Sequence, residues 1–374
     1  MAAPLLVLAA GGTGGHMYPA QALAETMLAR GWRVALSTDD RGARYAGGFP
    51  PAVERRVTSA ATIAQGGFLR RLTAPLALAA GTTAQLLAMR RDPPACVAGF
   101  GGYPALPALA AATLLGLPRL VHEQNGVLGR VNRLFAPRVG AVACGVWPTA
   151  TLKGARAVPT GNPVRAAVLE AAAEPYAPPG PGPVPLLVVG GSQGAGLFSR
   201  IMPAALARLP EDLRARLRLA QQVRPEDMAR TRDAMAELGV EAELRAFFDD
   251  LPKRMAGAAL VIARAGAGTI AELTAIGRPS ILVPYPHAAD DHQAANAAGL
   301  AAAGGAVMVR EEALTAEVLA GHLAAILSDP KQAASMAAAA RAEGRPDAAE
   351  RLAELIERLA AGEARIGAAQ EGRA

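Results

Sequence analysis

The sequence predicts an α/β protein of two domains, each built on a parallel sheet. Three observations predict it. Short apolar runs alternate with helix-length, alanine-rich segments along the whole chain. One unit occurs twice: an apolar run, a glycine pair, Thr or Ser, a further Gly, then a helix. It reads LLVLAAGGTGGH at residues 5–16 and LLVVGGSQGAG at residues 186–196. Between the two copies, residues 174–185 read EPYAPPGPGPVP, a stretch that cannot hold regular structure.

The elements follow in order. Residues 5–10 read as a buried first strand. The opening MAAPLLVLAAGG lacks the basic start of a secretory signal, and its apolar stretch runs straight into a glycine loop. A helix through residues 21–30 and a strand at 34–37 come next. Strands at 96–98, 119–122 and 139–144 continue the first domain. The second domain opens at Leu186 and continues with a strand at 258–263, a loop at 264–268, a helix at 269–276 and a strand at 280–284. Residues 347–359 form an amphipathic helix with Leu352, Leu355, Ile356 and Leu359 on one face. Beyond residue 360 the chain is polar, and 361–374 are expected to form a frayed tail.

Composition bounds the function. With 374 residues, 52% hydrophobic and 19% charged, the chain can fill two cores and is too long for one. Aromatics supply only 4%, so those cores are Ala, Leu, Val and Ile. The net charge of +6 favours an anionic partner: a phosphorylated substrate, an acidic lipid surface or nucleic acid. Nucleic acid is the weakest of these, because no Lys/Arg run is interleaved with aromatics. Cys96 and Cys144 have no paired spacing and read as small core residues of a reducing compartment. The five His are scattered and no CxxC or HExxH occurs. No apolar run approaches the roughly 18 residues of a membrane span.

Seven short motifs carry the chemistry. In GGTGGH, glycines let the backbone approach a phosphate or sugar, and the following helix offers unpaired N–H groups. His16 opens that helix, whose positive end disfavours a protonated ring, so a neutral imidazole is available to accept a proton. Asp39 and Asp40 end the next strand, where a dinucleotide site places its acid, although Met17 breaks the GxGxxG spacing. GFGGYP, with Gly101, Gly102 and Tyr103, is a second glycine turn suited to a pyrophosphate. HEQN clusters four polar side chains at a strand end; Asn125 suits sugar hydroxyls, and Glu123 is either a second proton acceptor or a brace for His122 or Arg165. GNPVR brings Arg165, whose guanidinium can fork onto phosphate oxygens. GGSQGAG offers Ser192 but lacks the Lys of an ATP-hydrolysing loop. RAGAGTIAE sets Thr269 and Glu272 on one helical face, with Glu272 able to grip a ribose diol. DDHQAANA sets Gln293 and Asn296 three apart on a helix capped by Asp290, with His292 exposed. No DxD occurs, so a metal-bridged diphosphate is not indicated; helix ends, amides and Arg165 would stabilise the leaving group instead.

In this order and spacing, across residues 4–360, the motifs resemble the MurG family of peptidoglycan glycosyltransferases. The resemblance implies a GT-B fold, two Rossmann-like domains facing a cleft. It implies inverting, metal-independent transfer of N-acetylglucosamine from UDP-N-acetylglucosamine to the 4-hydroxyl of lipid I, giving lipid II and UDP. It also implies no cofactor, and a peripheral site of work at the cytoplasmic face of the plasma membrane. Residues 1–163 would be an acceptor- and membrane-facing domain, joined by a C-terminal helix at about 345–360, and residues 164–344 the UDP-sugar domain. By the same resemblance, Thr13, Gly14, Gly15 and Asn125 contact the donor sugar, and Arg165 and Ser192 hold its diphosphate. Phe248 meets the uracil through its backbone. Ala267, Gly268, Thr269 and Glu272 cover phosphate and ribose, and Gln293 and Asn296 read the sugar. His16 is the leading general base, and Gly101, Gly102 and Tyr103 take the acceptor pyrophosphate. An apolar patch rimmed by arginines, made of Phe68, Leu69, Arg70, Arg71, Leu72 and Leu76, would meet an anionic membrane. Gly268 stands where many relatives carry a bulkier residue, which predicts looser packing on the donor. The run PALPAL after Tyr103 lacks the small polar residues common there. Two other readings compete: an NAD-dependent oxidoreductase resting on the first loop and Asp39, and a non-catalytic membrane-surface protein resting on the Phe68 patch. Neither accounts for the ordered set.

Overall fold

The computed structural model describes residues 3–57, 68–150 and 154–363, without the side chains of residues 68–74 and 191–195. The chain divides into two compact units, Met1–Arg165 with Arg345–Ala374, and Ala166–Gly344. It therefore passes into the second unit after Arg165, two residues later than the motif positions suggest.

The first unit carries strands β1 (Leu5–Ala9), β2 (Arg33–Thr38), β3 (Glu54–Val57), β4 (Cys96–Gly99), β5 (Arg119–Glu123), β6 (Ala141–Cys144) and β7 (Ala157–Pro159). Its helices are α1 (Gly14–Ala29), α2 (Asp40–Ala43), α3 (Phe68–Arg91), α4 (Leu106–Leu114) and α5 (Arg130–Phe135). The sheet runs β3-β2-β1-β4-β5-β6-β7, and every pair is parallel. Alternation along β1 divides the core into two layers, because successive side chains of a strand point to opposite faces. Leu6 and Leu8 join the layer containing Met17, Leu23 and Met27 of α1. Leu5, Val7 and Ala9 join the layer containing Leu109 and Ala112 of α4.

The second unit repeats the plan. It contains α6 (Ala166–Ala171), β8 (Val184–Val189), α7 (Gly191–Leu206), α8 (Glu211–Arg216), β9 (Leu217–Gln222), α9 (Met228–Glu237), β10 (Glu241–Arg245) and α10 (Leu251–Gly257). It continues with β11 (Leu260–Ala263), α11 (Ala267–Ile276), β12 (Ser280–Leu282), α12 (His292–Ala302), β13 (Ala306–Met308), α13 (Ala316–Ser328) and α14 (Pro330–Glu343). Its sheet runs β10-β9-β8-β11-β12-β13, again all parallel. The Pro/Gly stretch at 174–185 belongs to this unit rather than lying between the two. Tyr176 donates its hydroxyl to the Ala259 carbonyl at 2.7 Å, and the buried Arg278 donates to the Glu174 carbonyl at 3.0 Å.

Helix α15 (Ala348–Ala360) then returns to the first unit. Leu352, Leu355, Ile356 and Leu359 are buried in the layer shared with α1. At about 1.5–3 kcal/mol per buried aliphatic side chain, these four contribute roughly 6–12 kcal/mol of gross stabilisation. Arg30, the C-cap of α1, pairs with Glu350 and Glu357 of α15. Both cysteines are buried and unpaired, and burial pushes the Cys96 thiol up to about 12. Among the described residues, no helix is long and apolar enough to cross a membrane. The side chains of Phe68, Leu69, Arg70, Arg71 and Leu72 lie outside the described residues, so that part of the expected patch is unplaced. Leu76 is 72% exposed.

Candidate functional site

In each sheet the first strand stands beside the fourth, and the chain crosses over in opposite directions on either side of that pair. In such sheets ligands bind beyond the carboxyl ends of the strands at this switch point. In the first unit the loops there are GGTGGH after β1 and GFGGYP after β4. In the second they are GGSQGAG after β8 and RAGAG after β11. Four of the seven motifs thus occupy the two switch points.

The first loop is fixed by its neighbours. A Cβ on Gly11 would fall 2.7 Å from Asp39 Oδ1 and 2.7 Å from Pro104 Cβ, so no side chain is tolerated without movement. Asp39 Oδ1 accepts from the Gly42 amide at 2.8 Å and the Gly12 amide at 3.3 Å. This corrects the oxidoreductase reading: the carboxylate that would serve an NAD ribose is committed to holding the glycine loop and the start of α2.

His16 is half-buried, with Nδ1 3.1 Å from the Gly11 carbonyl. A carbonyl only accepts, so Nδ1 carries the proton and Nε2 carries the lone pair. Burial lowers the His16 pKa, opposed by the Gly11 carbonyl and by the charge of Glu123. The lowering has the direction expected from the helix position, and its first cause is burial. The second glycine loop presses on the ring. A Cβ on Gly101 would lie 3.5 Å from Nε2, and one on Gly102 3.3 Å from Cε1 and Nδ1; both glycines have positive φ, 86° and 72°. Tyr103 opens the helical turn that follows.

HEQN is a buried network. His122 is fully buried, with Nε2 3.1 Å from the Gly161 carbonyl and Nδ1 3.2 Å from Gln124 Nε2. It is the Nε2–H tautomer, and burial pushes its pKa down to about 4. Gln124 also donates to the Phe100 carbonyl at 3.0 Å. Glu123 Oε1 accepts from the amide and side chain of Asn125, both at 3.1 Å. Its Oε2 accepts from the Gly129 amide at 2.8 Å and Asn132 Nδ2 at 2.9 Å. A carboxylate that accepts from four donors organises this loop, which favours a bracing role for Glu123 over that of a second proton acceptor. It leaves Asn125 half-buried and oriented at the strand end. In GNPVR, Asn162 donates to the Gln124 carbonyl at 2.9 Å, and the Arg165 Cζ stands 4.4 Å over the Tyr18 ring.

In the second unit, Ala267, Gly268 and Thr269 supply the first amides of α11, beyond Gly266 at the cap. No side chain caps this end, so amides and dipole favour an anion there. A Cβ on Gly268 would meet nothing within 4 Å, so glycine there is not required by packing. Glu272 is half-buried one turn further on. The buried Arg264 ties the loop to its surroundings: it pairs with Glu311 at 2.6 Å and donates to the Val283 and Pro284 carbonyls at 3.3 and 3.2 Å. Gln293 Oε1 accepts from the Tyr285 amide at 2.9 Å, which orients its side-chain amide. Asn296 is 2% exposed and donates to the Ala265 carbonyl at 3.2 Å, a bond that ties it to the loop before α11. Phe248 is buried under Arg254 at 4.5 Å, so only its backbone can meet a base. Ser192 lies in the first turn of α7, and its side chain is outside the described residues. Asp291, not Asp290, occupies the N-cap position of α12, and its carboxylate pairs with Arg310 at 2.8 Å. His292 beside it is half-buried rather than exposed.

The glycosyltransferase family 28 N-terminal domain matches residues 6–144, and the C-terminal domain of the same family matches residues 185–352. A UDP-N-acetylglucosamine--N-acetylmuramyl-(pentapeptide) pyrophosphoryl-undecaprenol N-acetylglucosamine transferase from Chelativorans sp. is 51% identical over 97% of both chains. The chain belongs to glycosyltransferase family 28, in its MurG branch. A relative of the same name from Rhodospirillum centenum is 51% identical over 94% of this chain and 93% of its own. The crystal structure of Acinetobacter baumannii MurG superposes with a TM-score of 0.76 at 29% identity, covering 95% of this chain and 99% of that one.

Within a family 28 enzyme, the structure adds Asn132, which lies outside the motifs, and gives Asp39 and Arg264 roles that the motifs do not show. Asn132 donates to the His122 carbonyl and to Glu123, and the signal for it was a lone amide in the apolar run VNRLF of α5. Asp39 and Arg264 were visible as charges at strand ends, but their commitment to backbone groups needs the tertiary structure.

Proposed function

We propose that this family 28 enzyme transfers N-acetylglucosamine from UDP-N-acetylglucosamine to the 4-hydroxyl of the N-acetylmuramyl group of lipid I, forming lipid II and UDP for peptidoglycan. The observation that carries the reaction is about 50% identity, over almost the full length of both chains, to transferases of that name. The geometry around His16 supports the mechanism. The acceptor O4 attacks the anomeric carbon from the face opposite the diphosphate, the bond from that carbon to the phosphate oxygen breaks, and configuration inverts. The O4 proton passes to His16 Nε2, whose lone pair is set by the Nδ1 bond to Gly11. Charge on the departing UDP meets the α11 amides and Arg165, a metal-free way of stabilising a leaving diphosphate.

On this reading, Thr13, Gly14, Gly15, Asn125 and the Gln293 Nε2 hold the sugar, Glu272 the ribose, and the Phe248 backbone the uracil. Gly101, Gly102 and Tyr103 receive the acceptor pyrophosphate. The first unit takes the acceptor and works at the cytoplasmic face of the plasma membrane, without nucleic acid as a partner. The exposed Leu76 of α3 and the net charge of +6 support contact with an anionic surface.

Replacing His16 with Ala tests the mechanism. Turnover falls about a hundred- to ten-thousand-fold, the usual contribution of a positioned base, while UDP-sugar affinity is kept. Near-normal turnover in that variant removes His16 from the proton transfer.

A further inference from the structure

Tyr18 opens the second turn of α1, two residues after His16, and no function is assigned to it above. Its ring is held on several sides. A Cβ on Gly14 would fall 2.9 Å from Tyr18 Cε2, so glycine at 14 lets the loop backbone close onto the ring. Tyr45 meets it edge-on, with centroids 6.5 Å apart and planes at 89°. The Arg165 guanidinium carbon stands 4.4 Å over its centroid, inside the range of a cation–π contact. Stacking engages the flat face of a guanidinium and consumes none of its N–H donors, which lie in the plane. Gly14, Tyr18 and Arg165 therefore pack against one another.

We infer that Tyr18 is a positioning residue for the departing diphosphate: its ring fixes the plane of the Arg165 guanidinium beside the loop that carries His16. The inference rests on the reading of Arg165 as a diphosphate ligand. A guanidinium fixed before the ligand arrives loses less rotamer freedom on binding, and a fixed plane suits forked bonds to two phosphate oxygens. The phenol hydroxyl plays no part, so Phe at 18 serves as well as Tyr. Leu fills similar space without a π-face.

The test measures UDP and uridine affinities, with steady-state kinetics, for Tyr18→Phe, Tyr18→Leu, Arg165→Ala and the Leu/Ala double variant. Tyr18→Leu is expected to weaken UDP about 3- to 10-fold, the scale of a partly shielded cation–π contact. It should leave uridine affinity within about twofold and lower kcat by a factor similar to its effect on UDP, because charge on the departing diphosphate is met less well. Tyr18→Phe should match the parent enzyme, and the double variant should bind UDP no worse than Arg165→Ala alone. Unchanged UDP affinity in Tyr18→Leu, with Arg165→Ala weakened, overturns the role of Tyr18 alone. Unchanged UDP affinity in Arg165→Ala overturns the reading of Arg165, and this inference with it. Equal weakening of UDP and uridine in Tyr18→Leu assigns the residue to general packing and also overturns it.

Discussion

Replacing Glu123 separates two chemical roles for the same carboxylate. In the structure its oxygens accept four hydrogen bonds, from the Asn125 amide and side chain, the Gly129 amide and Asn132 Nδ2, and the residue is 2% exposed. Glu123→Gln keeps the shape but turns an NH₂ group onto one pair of these donors. In either pair one donor is a backbone amide that cannot flip. Asn132 is not available to flip either, because its Nδ2 also serves the His122 carbonyl at 3.0 Å. At least one part-buried N–H is left without its acceptor, at about 1 kcal/mol, and the three remaining bonds lose their charge assistance, so a total of about 3 kcal/mol is expected. For a unit of this size that corresponds to a fall of roughly 6–12 °C in its melting temperature. Calorimetry of the variant, with and without UDP, reads the shift. Turnover measured well below the lowered melting point should remain within about tenfold of the parent. An unchanged melting temperature together with a hundred-fold or greater loss of turnover would refute the reasoning and make Glu123 a proton acceptor.

Two further outcomes follow from the same geometry. His122 is buried neutral with a pKa near 4, against about 6.5 in an unfolded chain, so the unfolded state binds the extra proton between these values. Stability is therefore complete above pH 6.5 and falls as the pH drops towards 4, by about 3 kcal/mol for this residue. Denaturant midpoints of the parent and His122→Gln at pH 7 and 4.5 check it, and the variant should show the shallower fall. Glu272→Ala should raise the donor KM about tenfold or more, the worth of a charged hydrogen bond to ribose, leave the acceptor KM alone, and reduce the preference for UDP over its 2′-deoxy analogue. Unchanged donor KM takes Glu272 away from the ribose.

Most central strands and both glycine-loop switch points were legible in the sequence because they are buried on two faces and read as continuous apolar runs, whereas β9, LRLAQQ between β10 and β8, alternates buried and half-buried residues and was missed. The edges were not legible either. β3 is ERRV and β10 is EAELR; each has one neighbour, and their charged side chains guard an open edge. β7 and β13 have three residues each, too short to show a period. The candidate residues divide along the same line. His16 and the α11 loop follow from local sequence, since helix starts and glycine turns are local features. The commitment of Glu123 to Asn132, of Asn296 to the Ala265 carbonyl and of Asp39 to the Gly12 amide depends on strands and loops distant in the chain, so residue type alone does not reveal which polar group faces a ligand and which supports the backbone.

The most direct measurement is product analysis with UDP-N-acetylglucosamine and a lipid I analogue in the presence of a chelator. The account predicts lipid II and UDP in equal amounts, with a β linkage formed from the α-linked donor, and undiminished turnover without divalent ions. Absence of the disaccharide product, retention of the donor configuration, or strict dependence on an added metal would contradict it.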